Sequence, residues 1–208
     1  MQKLSTKLFT HVKLFMVINC LNIRLYVLFI RRDFGVCDIK VKNSLEGIVI
    51  KWHSAIDRVL RDSSSSIFER HANPTPMHEV RFWEMRRKNV KNIYQQLLDP
   101  RVKAIANILE CIKSVYTSTF AESFKKIVKG LHEADDITLW MKPLQPHFER
   151  IERDDFLEND DKIHPLYHVI CLMWAHSKYY GTNKRMIFLF QMISNMIIES
   201  SSKFLDPG

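Results

Sequence analysis

Glycine is scarce in this chain, 5 in 208 residues, and proline is limited to 7. So few glycines leave little material for the tight turns of a hairpin-rich β fold. Low content of both argues against an unfolded, low-complexity composition. No glycine is followed by lysine, which excludes a phosphate-cradling P-loop, and no Gly-x-Ser-x-Gly elbow occurs. Cysteine is equally thin: Cys20, Cys37, Cys111 and Cys171 stand far apart, with no Cys-x-x-Cys pair. The triplet Asn73-Pro74-Thr75 carries the proline that disqualifies a glycosylation site. Both features suit a reduced, cytosolic compartment. Cys111 and Cys171 are expected to be buried helical thiols without catalytic duty.

What is present points to helices. The 46% hydrophobic content supports one packed domain at this length. The net charge of +8 suggests nucleic acid until it is located. Residues 1–42 hold eight Lys/Arg against Asp33 and Asp38, a balance of +6, which leaves +2 for the other 166 residues. The basicity belongs to a leader, and the body lacks the charged face that phosphate binding needs. Within the leader, Leu14 to Ile30 is a 17-residue apolar run, the lower limit of a membrane span. Arg24 would cost about 2.5–3.5 kcal/mol at its centre, while each Leu, Ile, Val or Phe returns about 0.3–0.6, so insertion is near balance. A small helical protein anchored by residues 14–30 is the rival reading; a soluble apolar segment is preferred. No small-residue cleavage site follows the run.

From Asn43 onward the apolar residues recur at three- and four-residue steps. Leu45, Ile48, Val49, Trp52, Ile56, Val59 and Leu60 form one stripe, with Asn43 and Glu46 as an expected capping box and the serines 63–66 as a linker. Thr75-Pro76 and Asp99-Pro100 each punctuate a helix start. The second opens a helix carrying Val102, Ile105, Leu109, Ile112 and Tyr116. Thr119 with Glu122 predicts a further box ahead of Phe124, Ile127, Val128 and Leu131. Asp135-Asp136 is expected to begin a separate element bearing Ile137, Trp140, Met141, Leu144 and Phe148, kinked or split by Pro143 and Pro146. The acidic run from Glu149 to Asp161 reads as a solvated end or loop. His164-Pro165 restarts a helix that carries Leu166, Val169, Ile170, Met173 and Ser177 and stops at Gly181. Thr182 caps the last one, with Met186, Leu189, Phe190, Ile193, Met196 and Ile197 as its expected stripe. The body is therefore all-α, seven or so helices as a bundle or stacked array.

The stretch NPTPMHEVRFWEMRR, Asn73 to Arg87, sets aromatic rings among charges. On a helical wheel Val80, Trp83, Val90, Tyr94, Leu97 and Leu98 share one half, so Trp83 is mainly core and Phe82 lies at the edge. Arg86 and Arg87 fall in the same apolar half. They are expected to stack on the Trp83 ring, to reach outward, or to meet an acid on a neighbouring helix. Phe82, Trp83, Arg86 and Arg87 are also the residue types found at binding hot spots. His78-Glu79 and His132-Glu133 begin like zinc-protease helices, but Phe82 and Asp136 stand where the second histidine belongs. His164, His168 and Cys171 have metal-ligand spacing on one helical face but suggest no fourth ligand, and ordinary helix packing is the preferred reading. No catalytic, metal or cofactor site is expected.

These motifs align with a known pattern. NPTPMHEVRFWEMRRKNVKNIYQQLLDPRVKAIANIL resembles the Phe-Trp-x-x-Arg segment of dynein heavy-chain tails, in which an acid precedes Phe-Trp and an Ile/Leu…Gln-Leu…Pro-x-Val pattern follows. The likeness continues through ADDITLWMKPLQPHFERIERDDF and through the last helices, and upstream GIVIKWHSAIDRVL resembles the preceding family helix. It covers Asn43 to Pro207 and is nearest to axonemal, outer-arm types. It implies an elongated series of helical bundles, the N-terminal stem. In this family the stem joins heavy chains to one another, carries intermediate and light chains, and anchors the complex on the ciliary axoneme. The ATPase ring and microtubule-binding stalk lie far C-terminal and are not expected here, so the segment implied is non-catalytic. Residues 1–42 depart from the pattern and are read as an off-pattern leader, an alternative start; residues 43–208 are the tail region. Nucleic acid is not an expected partner.

Overall fold

The computed structural model describes residues 39–61, 67, 71–153 and 160–205. Among them are six helices: α1 (Ile39–Arg61), α2 (Pro76–Leu97), α3 (Pro100–Cys111), α4 (Thr117–Arg153), α5 (Asp160–His176) and α6 (Asn183–Leu205). No strand occurs among the described residues, in agreement with the all-α expectation. The leader, including the apolar run 14–30, and the serines 63–66 lie outside the described residues. Among the described residues no helix is long and apolar enough to cross a membrane.

The chain packs as two units, and their boundaries fall inside α2, at Lys88–Asn89, and inside α4, at Lys129–Gly130. The first unit contains α1, α3, the end of α2 and the start of α4. Its buried residues are Leu45, Val49, Trp52 and Ile56 from α1, Val90, Ile93 and Leu97 from α2, Val102, Ile105 and Leu109 from α3 and Ile127 from α4. All but Ile93 lie on the stripes expected from sequence, whereas Leu98, expected on the α2 stripe, is exposed and Tyr94 only half-buried. Each such side chain taken from water contributes about 1.5–3 kcal/mol. Aromatic pairs close the edges, Trp52 with Phe120 at 6.3 Å and Tyr94 with Phe124 at 5.9 Å between centroids.

Local chemistry fixes the helix ends, and several differ from the sequence expectation. Asp99 caps α3 as expected. Its Oδ1 accepts from the Arg101 N–H at 2.9 Å, and its carboxylate pairs with the Arg101 guanidinium, which holds the carboxyl down at about 2. At the other end of α3, Lys113 takes φ 50 while the N–H groups of Lys113 and Ser114 return to the carbonyls of Glu110 and Leu109. This is a Schellman stop, with lysine where glycine is usual. Tyr116 thus lies past the end of α3.

Asn43 is not a cap, because α1 is already helical at Ile39; Glu46 instead accepts from Ser114 Oγ at 2.6 Å. Thr119 is not a cap either, since α4 begins at Thr117 behind Ser114, whose Oγ accepts the Tyr116 N–H. No break occurs at Asp135-Asp136: the two expected elements are one 37-residue helix, with Pro143 and Pro146 inside it. Both prolines are exposed, as are Leu139 and Lys142, whose carbonyls lose their N–H partners and can turn to water instead. The apolar steps Ile137, Met141, Leu144, Phe148 and Ile151 keep their register across them, and all are buried.

The second unit contains the first part of α2, most of α4, and α5 and α6. One core unites Met77, Val80 and Trp83 with Ala134, Ile137, Met141, Leu144 and Phe148, with Leu166, Ile170 and Met173, and with Met186, Leu189, Met192, Ile193 and Met196. Helix α5 begins at Asp160, ahead of His164-Pro165, so Glu149–Arg153 and Asp160–Asp161 from the acidic run are helical. It ends at His176, five residues before Gly181. Cys111 and Cys171, expected inside, are both exposed. On α5 the buried stripe is Leu166, Ile170 and Met173, continued just past its end by Ser177, and Cys171 falls outside it.

Gly181 closes the turn between α5 and α6 for a steric reason. A Cβ there would lie 2.5 Å from the Trp174 carbonyl oxygen and 2.7 Å from that of Ser177. Both obstacles are backbone and cannot swing aside. Gly181→Ala is expected to lower stability by about 1–3 kcal/mol, read from the denaturant midpoint, because the turn must be forced apart.

Candidate functional site

The Phe-Trp stretch is the hub of a buried polar joint in the second unit. Trp83 is 1% exposed, on the core side of α2 as its wheel position predicts. One turn earlier, Glu79 is also 1% exposed, and its Oε1 accepts from the Trp83 indole N–H at 2.7 Å. Phe82 is half-buried and meets the Trp83 ring edge-on, with centroids 5.3 Å apart. The guanidinium carbon of Arg86 lies 5.7 Å from the Trp83 ring centroid, and that of Arg185, from α6, lies 5.1 Å away. Cation–π attraction in a desolvated setting is worth about 2 kcal/mol per pair. Of the four residues singled out in sequence, Arg87 reaches solvent, where its Nε donates to Asp135 of α4.

A second layer ties the α5–α6 turn to α4. Arg185 donates to the Tyr179 carbonyl at 2.8 Å and pairs with Glu133. Asp136 accepts from Ser177 Oγ at 2.7 Å and from the Tyr179 N–H at 3.1 Å, while Ser177 Oγ accepts the Tyr180 N–H at 2.9 Å. The buried Tyr180 hydroxyl bonds Glu79. Burial pushes the Glu79 carboxyl up to about 7, against the opposing pull of Trp83, Tyr180 and Arg185. Burial and the adjacent Glu79 likewise raise the Tyr180 phenol well above its ordinary value, so it stays a donor.

In the first unit His53 Nδ1 is 2.7 Å from Ser123 Oγ, and its Nε2 is 3.3 Å from Asp57, the Ser–His–Asp set of a serine-nucleophile triad but with the two ring nitrogens exchanged. Ser123 is buried in mid-helix and its hydroxyl also bonds the Thr119 carbonyl at 2.9 Å; the helix's own backbone bonding takes up nearby N–H groups. The trio, extended by Lys126 to Asp57 at 3.0 Å, ties α1 to α4.

Comparison with known proteins now bears on what this framework is for. The family model described as "Dynein heavy chain, N-terminal region 1" matches residues 42–208. The chain belongs to the dynein heavy-chain family. It is 37% identical over 170 residues, 82% of its length, to dynein axonemal heavy chain 9 of Homo sapiens. It is 35% identical over 172 residues to the ciliary dynein beta chain of Tripneustes gratilla, and 32% identical over 166 to the flagellar outer-arm dynein beta chain of Chlamydomonas reinhardtii. The aligned part is 4% of each of these relatives, so the chain spans a small fraction of a dynein heavy chain.

Against that family background the joint has a structural logic. It binds the start of α2 to α4 and α6 in this heavy-chain segment. Sequence reading found Trp83 and missed Glu79, Tyr180, Asp136 and Arg185. The available signal was the four-residue step from Glu79 to Trp83, which sets an acceptor beside an indole donor. His164, His168 and Cys171 are all exposed on α5, and no group of three that could hold a metal ion occurs among the described residues.

Large apolar side chains also remain at the surface of this dynein segment. On α5 these are Tyr167, Leu172 and Trp174; on α6 they are Ile187, Ile198, Leu205 and Phe190, the last expected from sequence on the buried stripe. Trp174 is 52% exposed and Ile187 63%.

Proposed function

We propose that this chain acts as a non-catalytic assembly segment in the N-terminal stem of an axonemal dynein heavy chain. It joins dynein heavy chains to one another and carries intermediate and light chains, in the cytoskeleton of the ciliary axoneme, for microtubule-based movement. The observation that supports this most is the pairing of family membership with α6, which buries one apolar stripe and leaves Ile187 and Ile198 on another face, and with α5, which exposes Tyr167 and Trp174 on one face away from its buried stripe. A helix apolar on two sides is built to be covered on both. Aromatic side chains such as Trp174 and Phe190 suit the dry centre of an interface. Phe82, Trp83, Arg86 and Arg87 contribute in two ways: Arg87 from the surface, the others by fixing the helix that carries it.

The full chain, immobilised, is expected to retain dynein heavy, intermediate or light chains from ciliary extract, identified by mass spectrometry. The double variant Trp174→Glu with Ile187→Glu is expected to lose at least tenfold of that retention. It should keep its stability within about 0.5 kcal/mol, since both side chains already face solvent. Retention of no dynein subunit by the folded chain overturns the proposal.

A further inference from the structure

The entrance to α2 is held by an imidazole. The Thr75 N–H donates to Nδ1 of His78 at 3.1 Å, Thr75 Oγ1 lies 3.0 Å from the same nitrogen, and the His78 N–H donates to the Thr75 carbonyl at 3.0 Å. This is one half of a capping box: the third helical residue returns to bond the cap's own N–H, with histidine where glutamate or glutamine is usual, while the His78 N–H takes the Thr75 carbonyl in place of its hydroxyl. A ring nitrogen that accepts a backbone N–H carries no proton, so the bond selects neutral His78 with its proton on Nε2. The ring of His71, from the segment ahead of the helix, packs on His78 with centroids 4.0 Å apart.

We propose that the Thr75–His78 box is a proton-operated latch: protonation of His78 releases the first turn of α2 and the segment that leads into it. A second proton converts the acceptor at Nδ1 into a donor, which deprives the Thr75 N–H of its partner even where Thr75 Oγ1, 3.0 Å away, turns to accept the new N–H. It also sets positive charge at the positive end of the α2 dipole. The charged and titratable groups that act on His78 are His71 and, from the next turn of its own helix, Arg81; both oppose a further positive charge. Burial first, then His71 and Arg81, hold the His78 pKa below its ordinary 6.5. A depressed histidine pKa means that the closed latch is fully stable above 6.5 and loses stability as pH falls from there through the folded value. The neighbouring Glu79 titrates in the opposite sense and faces Trp83 and Tyr180, so the Trp83 indole N–H reports it separately.

The test is amide hydrogen exchange of the full chain, followed by NMR between pH 8 and 5. The protection factor of the Thr75 amide, corrected for intrinsic exchange, is expected to fall by up to tenfold per pH unit below 6.5, then level off. His78→Gln supplies a non-titrating acceptor at the same position and is expected to hold Thr75 protection constant. His71→Phe keeps a ring in place without its charge and is expected to leave the onset near 6.5 while the fall in protection becomes smaller and levels off at higher pH. Constant protection in the unaltered chain overturns the proposal, as does an undiminished pH dependence in His78→Gln. So does an Nδ1-protonated neutral tautomer of His78 at pH 8.

Discussion

Trp83→Ala is expected to cost about 4 kcal/mol, near the middle of the range for removing a buried tryptophan. The indole is 1% exposed and sits where α2, α4 and α6 meet in one core, so its loss opens a cavity that three helices would have to collapse to fill. Two further penalties follow from the contacts. Glu79 loses the N–H that bonds it at 2.7 Å, and the Arg86 and Arg185 guanidiniums lose the ring they approach. A buried acceptor deprived of its donor costs about 1–3 kcal/mol by itself. Against a typical total stability of about 5–15 kcal/mol, the variant lies near the unfolding threshold. Trp83→Phe separates the terms, since it restores most of the ring volume without the N–H and should cost about 1–3 kcal/mol. Urea denaturation followed by circular dichroism measures both. A midpoint shift equivalent to less than about 1 kcal/mol for Trp83→Ala removes the joint from any central structural role.

The part of this joint that was legible in sequence is the part governed by periodicity. Trp83, Val80 and Val90 lie inside because their spacing puts them on one helical face, and the structure keeps that spacing. Glu79 was illegible because linear reading assigns acids to water, and only the partners show otherwise. Two of these, Tyr180 and Arg185, are about a hundred residues away in the chain, joined to it by topology alone. Cys171 failed in the opposite direction: a thiol among apolar neighbours reads as core, yet the stripe α5 buries is one residue wide of it. The prolines of α4 misled for an energetic reason. Each removes one hydrogen bond, but the continuous apolar register from Ile137 to Ile151 outweighs two bonds whose carbonyls remain near solvent. Family resemblance was legible because it rests on several motifs spread from Asn43 to Pro207, and the family model matches residues 42–208.

Stability should also depend on pH through Glu79, with a sign opposite to that of an ordinary surface carboxylate. Its folded-state pKa is raised from 4.5 to about 7, so the folded chain holds this proton more tightly than the unfolded one. A raised pKa means that the contribution is fully present below 4.5 and is lost as pH rises from 4.5 through about 7. At about 1.4 kcal/mol per unit, the loss across that window is about 3 kcal/mol. Glu79→Gln keeps an oxygen for the Trp83 N–H and cannot ionise. It is therefore expected to be close to the unaltered chain at pH 5, more stable by about 2–3 kcal/mol at pH 8, and flat between in this contribution. Glu79→Ala deserts both Trp83 and Tyr180 and should lose stability at every pH, by about 1–3 kcal/mol for each donor left unpaired. Denaturant unfolding across pH 5 to 8 distinguishes the outcomes. A glutamine variant less stable than the unaltered chain at pH 8 would mean that the pull of Trp83, Tyr180 and Arg185 outweighs burial, and that Glu79 is held as a carboxylate. In that case the joint is an ion-paired clamp on Arg185, and its weak point shifts from high pH to low.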